Sequence, residues 1–233
     1  MSEKIKKSDQ TKAKLLESMW ELILEGDKVI SVKTITTKAG TAYGSFYRYY
    51  KNLDQVHKEL IQHRASLLAE FAVAELVKIE SPLLRFYVGY YFAIGMFQQE
   101  NVTQWLSKHP NFMNATWSEV TEATGEAILQ EALKSDDVPE FTQRNLDHYL
   151  RIRRYVFWTY QQIIRELSEG KPLQEIYLEF IDAVNLLDLP RDLHHQLANE
   201  AVSLANVVLD QGHWPTNSNE RSSISTMTTG SSS

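Results

Sequence analysis

The chain has 233 residues, no cysteine and a net charge of −6. The absence of cysteine excludes disulfides and thiolate metal sites and fits a reducing compartment. The most apolar run, residues 83–97, contains Arg85 and is shorter than the ~20 residues a bilayer-spanning helix needs, and no secretory signal follows the N-terminal Met-Ser-Glu-Lys, so a soluble, cytoplasmic protein is expected.

The first predicted helix runs from about Ser8 to Glu25, with Leu15, Leu16, Met19, Trp20, Leu22 and Ile23 as its apolar stripe and Gly26-Asp27 as its end. Ser31 is placed as the N-cap of a second, short helix, in which Val32, Ile35, Thr36 and Ala39 recur at helical spacing. Gly40 follows, the residue best able to take the positive φ that turns a chain out of a helix. A third helix spans Ala42 to about Tyr50, and Asn52 is placed to cap a fourth. Two helices joined by a tight Gly turn have the shape of a helix-turn-helix DNA reader.

The run Ala39-Gly40-Thr41-Ala42-Tyr43-Gly44-Ser45-Phe46-Tyr47-Arg48-Tyr49-Tyr50-Lys51-Asn52 resembles the signature of TetR-type bacterial transcriptional regulators. The resemblance covers roughly residues 10–57. Three residues depart from it: Thr36 where the family usually has Ala, Thr41 where it usually has Val, and Leu53 where many members carry a phosphate-binding Lys. The resemblance implies a homodimer on a palindromic operator, with a helical body that binds a small effector.

Charge is divided in the same sense. Residues 1–51 hold ten Lys and Arg against six acids, and the remainder holds fourteen against twenty-four. A basic head on an acidic body can still meet phosphates with one end. On the third helix Phe46 and Tyr50 are expected to wedge into the core. Arg48 is the candidate base reader, because its guanidinium can donate two bonds to guanine. Ala42 can pack on a thymine methyl, Ser45 can donate or accept, and Gly44 lets the backbone approach the groove. By resemblance Tyr47 and Tyr49 donate to phosphates, with Tyr43 at the groove wall. Ser31, Lys33, Thr34 and Lys51 stand at helix ends where phosphate contacts are expected, and Thr41 completes the set.

Beyond Leu53 the pattern stays helical: a long segment to about Ile79, a start at Ser81-Pro82, then stretches near 83–99, 101–107, 112–134, 138–168, 172–187 and 190–211. Little room is left for a sheet, and the Ser/Thr-rich stretch after Pro215 is expected to be disordered. The fold class is therefore all-α: a three-helix DNA-binding domain over residues 1–52, then an effector-binding and dimerisation domain over 53–213, with a tail over 214–233. By resemblance the last long helices, 138–168 and 190–211, pair between protomers. Their candidates are Leu150, Ile152, Val156, Tyr160, Ile163 and Leu167, with Leu193, Leu197, Val202, Leu204, Val207 and Leu209. Aromatic density marks the candidate effector residues: Tyr90, Tyr91, Phe97, Trp105, Trp117, Tyr155 and Trp158.

No phosphate-loop, nucleophile-elbow, dinucleotide or zinc-protease motif is present, so neither an enzyme nor a cofactor or metal is expected. The expected partners are double-stranded DNA, a second copy of the chain and a small apolar or aromatic effector, with no membrane. The alternatives are an activator, a ligand-independent DNA binder, or a TetR-like adaptor acting through protein contacts.

Overall fold

The structure, a computed structural model, describes the backbone of residues 2–26, 29–109, 115–135 and 138–210 and, except at 2–8, 72, 115–121, 157, 209 and 210, their side chains. The described residues form helices and no strand: α1 (Ser2–Leu24), α2 (Val32–Lys38), α3 (Tyr43–Tyr49), α4 (Leu53–Glu75) with a 3₁₀ turn at Leu76–Lys78, α5 (Pro82–Gly95), α6 (Glu100–Lys108), α7 (Ala115–Ala132), α8 (Gln143–Ser168), α9 (Leu173–Val184) and α10 (Arg191–Asp210). The expected all-α class holds. The expectation of disorder after Pro215 falls outside the described residues.

Local chemistry sets the ends. Ser31 accepts from the Thr34 amide at 3.2 Å and the Thr34 hydroxyl accepts from the Ser31 amide at 2.8 Å, a reciprocal capping box that starts α2. Gly40, at φ 63°, closes α2 by donating to the Thr37 carbonyl at 3.1 Å, while the Thr41 amide donates to Thr36 at 2.9 Å. These two bonds form a Schellman motif, which satisfies the last carbonyls of α2 and sets the turn into α3. Asn52 accepts from the Gln55 amide at 3.0 Å and so begins α4. Helix α8 starts later than its periodicity predicts, at Gln143, because Thr142 and Asn145 form a second capping box. Helix α9 stops at Val184, where Asn185 takes the left-handed conformation at φ 36°.

At the centre lies α5. Its sequence is apolar on every side, and a helix of that kind must be buried all round. It runs against α7, α9 and α10, while α4 packs on α7 and α6 on α8. One of its tyrosines, Tyr87, takes part in hydrogen bonds within the core. The Tyr177 hydroxyl donates to the Tyr87 carbonyl at 3.0 Å. The Ile181 carbonyl can only accept, so His194 Nε2, 2.8 Å away, carries the proton and Nδ1 accepts from the Tyr87 hydroxyl at 2.6 Å. Burial holds the His194 imidazole below its ordinary pKa, consistent with this neutral form.

The first three helices share one continuous core with the rest, running from Leu15, Met19, Trp20 and Phe46 through Val56 and Leu60 to α5. Polar ties reinforce that seam. Arg64 of α4 is 3% exposed, sits over the Trp20 ring at 4.1 Å and reaches Glu17 at 3.3 Å. Its burial lowers the guanidinium pKa to about 10, with Glu17 opposing the shift. Lys12 pairs with Glu59 at 2.6 Å. Asn101 of α6 donates to the Leu24 carbonyl at 2.7 Å, taking up a carbonyl in the last turn of α1. No helix among the described residues is long and apolar enough to cross a membrane.

Candidate nucleic-acid interface and ligand cavity

Phe46 and Tyr50 are 0% and 1% exposed and anchor α3 against α2, with Lys12 of α1 over the Tyr50 ring at 5.8 Å. Burying a side chain of this size stabilises by about 2–3 kcal/mol, enough to fix the roll of a seven-residue helix. That roll turns Ala42, Tyr43, Gly44, Tyr47 and Arg48 outward. Tyr43 and Tyr47 are 54% and 53% exposed, with their hydroxyls 3.2 Å apart. The stripe that helical spacing draws through Tyr43, Phe46, Tyr47 and Tyr50 therefore divides into a buried half and an exposed half.

Lys33 and Lys51 are exposed on either side of α3 and, like Arg48, form no ion pair among the described residues. Lys38 instead pairs with Glu25 at 2.7 Å and Glu21 at 3.5 Å, and the Glu25 hydrogen bond raises its pKa. Ser45 and Tyr49 are half-buried, and Tyr49 packs on the core. Ser31 and Thr34 spend their hydroxyls on each other in the cap. Thr41 turns its hydroxyl inward, where it is buried without a partner, so this atom is not on the outer face. The Thr36 hydroxyl bonds back to the Val32 carbonyl at 2.8 Å, so a polar residue fits the site where a small apolar one is usual. Leu53 packs on the core and carries no charge to the surface.

Inside the body, α4, α5 and α7 enclose a cavity of about 50 Å³ lined by Leu68, Leu76, Phe86, Gly89, Tyr90 and Gly125, among others. Two glycines are part of its wall, and at Gly125 neighbouring side chains approach the backbone closely. A Cβ on Gly125 would lie 2.6 Å from the Tyr149 hydroxyl. Burial pushes the Tyr90 phenol well above its ordinary pKa and the Tyr149 phenol up to about 12, so both are neutral hydrogen-bonding groups near neutral pH. Outside it, Glu122 and Glu126 of α7 hold Arg153 of α8 at 3.3 and 2.6 Å.

Neither a family model nor a curated protein matches the chain, but solved structures do. The fold is that of RolR. The crystal structure of RolR (NCGL1110) in complex with its ligand resorcinol matches at a TM-score of 0.61 and 16% identity, covering 83% of this chain and 95% of that one. RolR without ligand matches at 0.58 and 15%, covering 80% and 96%. At this identity the likeness to RolR is one of fold.

The seven aromatic residues singled out from the sequence do not converge on one site. Tyr90 lines the inner cavity. Tyr91 points to α10, donating to Asn206 at 3.2 Å, and Phe97 packs edge-on against Tyr160. Trp105 lines a separate cleft between the α1 end and α6, with His57 and His109 beside it. Trp117 lies on α7, and its side chain is outside the described residues. Tyr155 and Trp158 do not line the inner cavity: they are 58% and 69% exposed on α8. The inward stripe of that helix is Leu146, Tyr149, Val156, Tyr160 and Ile163, which leaves Tyr155 and Trp158 on the outer side. Of the candidate pairing residues, Val156, Tyr160, Ile163, Leu197 and Val202 are consumed by the protomer's own core, whereas Val207 is 54% exposed. The Leu209 side chain lies outside the described residues. The sequence reading missed Phe86, Gly89 and Gly125; two small residues carry no periodic signal.

Proposed function

We propose that the protein is a TetR-type transcriptional repressor that binds a palindromic operator as a homodimer and is released by a small apolar or aromatic effector. Residues 1–52 act as the reader and 53–213 as the effector-binding and dimerising body. The observation that carries this reading is the outer face of α3: Tyr43, Gly44, Tyr47 and Arg48 exposed together, flanked by Lys33 and Lys51, on a helix anchored by Phe46 and Tyr50. Arg48 reads a base edge, and the tyrosine hydroxyls and the lysines hold phosphates, which position the reader without specifying sequence.

Dimerisation uses the outer faces of α8 and α10, where Tyr155, Trp158 and Val207 are exposed apolar groups. The effector occupies the cavity beside Tyr90. RolR's ligand, resorcinol, is a small aromatic diol, and a cavity lined by Phe86 and Tyr90 offers the same pairing of ring surface and hydroxyl. A benzene-sized cavity is of order 150 Å³, so occupation has to spread α4, α5 and α7 from the 50 Å³ arrangement. Helix α4 carries that displacement to the reader through Arg64–Glu17. A ligand that favours the spread state thereby disfavours the DNA-bound one.

The test is selection from a random duplex library in moderate salt. Enrichment of a palindrome is expected, with affinity falling steeply in salt, by a log–log slope of about −5 if six phosphates are contacted. A folded dimer that enriches no sequence would overturn the repressor reading in favour of an adaptor that works through protein contacts.

A further inference from the structure

The inner cavity has an outer neighbour. A groove of about 450 Å³ runs between the end of α4 and α7, lined by Val73, Leu76, Val77, Arg85, Thr124 and Glu131, among others. Leu76, Thr124 and Ile128 line both spaces, so the groove and the cavity beside Tyr90 share a wall. Val73 and Val77 are 70% and 63% exposed, which gives the groove an apolar lip.

Of the two charged residues that line this groove, one is fixed. Arg85, on the central helix, is 9% exposed; Nη1 and Nη2 hold Glu131 at 3.0 and 2.5 Å, with the Glu80 carbonyl 3.5 Å from Nη2. Its Nε is buried and makes no hydrogen bond, so the guanidinium keeps a donor that Glu131 does not use. Glu131 differs from it: its side chain is 54% exposed at the rim and can return to water. A buried guanidinium deprived of Glu131, its one carboxylate partner among the described residues, is costly unless another carboxylate takes the place.

We propose that the effector is an apolar monocarboxylic acid. Its carboxylate replaces Glu131 on Arg85, and its hydrocarbon end passes Leu76 and Ile128 into the inner cavity. This deepens the effector reading above and rests on it. The carboxylate accounts for the fixed cation, the apolar lip for the path, and the narrow inner cavity for a slender tail. Leu76 opens the 3₁₀ turn that directly follows α4, the long helix that carries Arg64, so the residue the tail displaces adjoins the element tied to the reader.

Octanoate and its neutral counterpart octanol serve as probes, titrated calorimetrically into the full-length protein and into Arg85→Gln and Glu131→Gln. Octanoate is expected to bind wild type and to outbind octanol at least tenfold. Arg85→Gln should lose that preference, and Glu131→Gln, which removes the competing carboxylate, should strengthen octanoate binding several-fold. Opposite signs from two partners of one ion pair are not what a merely structural pair gives. If Arg85→Gln fails to fold by circular dichroism, Arg85→Lys keeps the charge without the fork and should bind octanoate less tightly than wild type. Equal affinity for acid and alcohol, weakening in both variants, or no octanoate binding to wild type would each overturn the inference. Release of a selected operator by resorcinol but not by octanoate would also overturn it while leaving the repressor reading standing. Failure to select any operator would strike the repressor reading, with calorimetry still deciding the acid site.

Discussion

Gly125 offers a sharp test of the cavity's geometry. A Cβ at this position would meet the Tyr149 hydroxyl at 2.6 Å and Phe86 Cε2 at 3.3 Å. The first separation is shorter than real contacts allow, so Gly125→Ala forces α7 and α8 apart or turns the phenol, at about 1–3 kcal/mol for overpacking. Against this stands the helix preference of Ala over Gly, worth about 1 kcal/mol. The single substitution should therefore destabilise by about 0–2 kcal/mol. Removing the hydroxyl with Tyr149→Phe leaves the ring carbon Cζ at 3.5 Å, an ordinary contact, so in that background Gly125→Ala should be neutral or stabilising. The informative quantity is the coupling energy of the double-mutant cycle, expected at about 1–3 kcal/mol, because it cancels whatever Tyr149→Phe costs alone. Urea unfolding of the four proteins, with equal m-values, measures it. A coupling below about 0.5 kcal/mol would refute the claim that this hydroxyl is packed against the Gly125 backbone.

Three further outcomes follow from the same structure. His57 is 5% exposed and its pKa is lowered to about 4, by burial first and by His109 second, against an unfolded value of 6.5. The unfolded chain therefore binds the proton first, so stability is full above pH 6.5 and falls as pH drops toward 4. His57 contributes roughly 2 kcal/mol of that loss between pH 7 and 5, so His57→Phe unfolding curves should be shallower in pH by about this amount. The remainder is left to His194 and His63, whose pKa values burial also lowers. Arg48→Ala should relax preference at one base pair of each half-site by about 1–3 kcal/mol with an unchanged circular dichroism spectrum; unaltered selectivity would remove Arg48 from the reader. Trp158→Glu, at a position 69% exposed in the protomer, should yield a stable monomer by analytical ultracentrifugation, and an unchanged sedimentation coefficient would take α8 out of the interface.

The proposed reader was legible in the sequence because short-range chemistry specifies its helix ends. Ser31, Gly40 and Asn52 are caps and turns whose geometry depends on neighbours within five residues, and each stands as its residue type predicts. The burial of Phe46 and Tyr50 was legible too, whereas the exposure of Tyr43 and Tyr47, which share their helical stripe, followed from the family resemblance and not from periodicity. Periodicity reports a face, and a face is not yet a depth. The body shows the same limit more strongly. Tyr90 and Trp158 have equal claims as aromatic residues, yet one lies in the core and the other on the surface, because packing between helices far apart in sequence decides which. Gly89 and Gly125 line the cavity, and at Gly125 the missing side chain is what lets the Tyr149 hydroxyl and Phe86 approach the backbone.

The stacking of Arg64 on Trp20 at 4.1 Å has an optical consequence. Trp20 is 6% exposed and belongs to α1, while the cation over it belongs to α4. Its emission therefore depends on how those two helices sit against each other: a slip of about one ångström uncovers the indole, changes its distance from the charge and shifts its colour. With the other four tryptophans replaced by phenylalanine, the protein becomes its own gauge of movement between reader and body, readable on the millisecond timescale without an added dye.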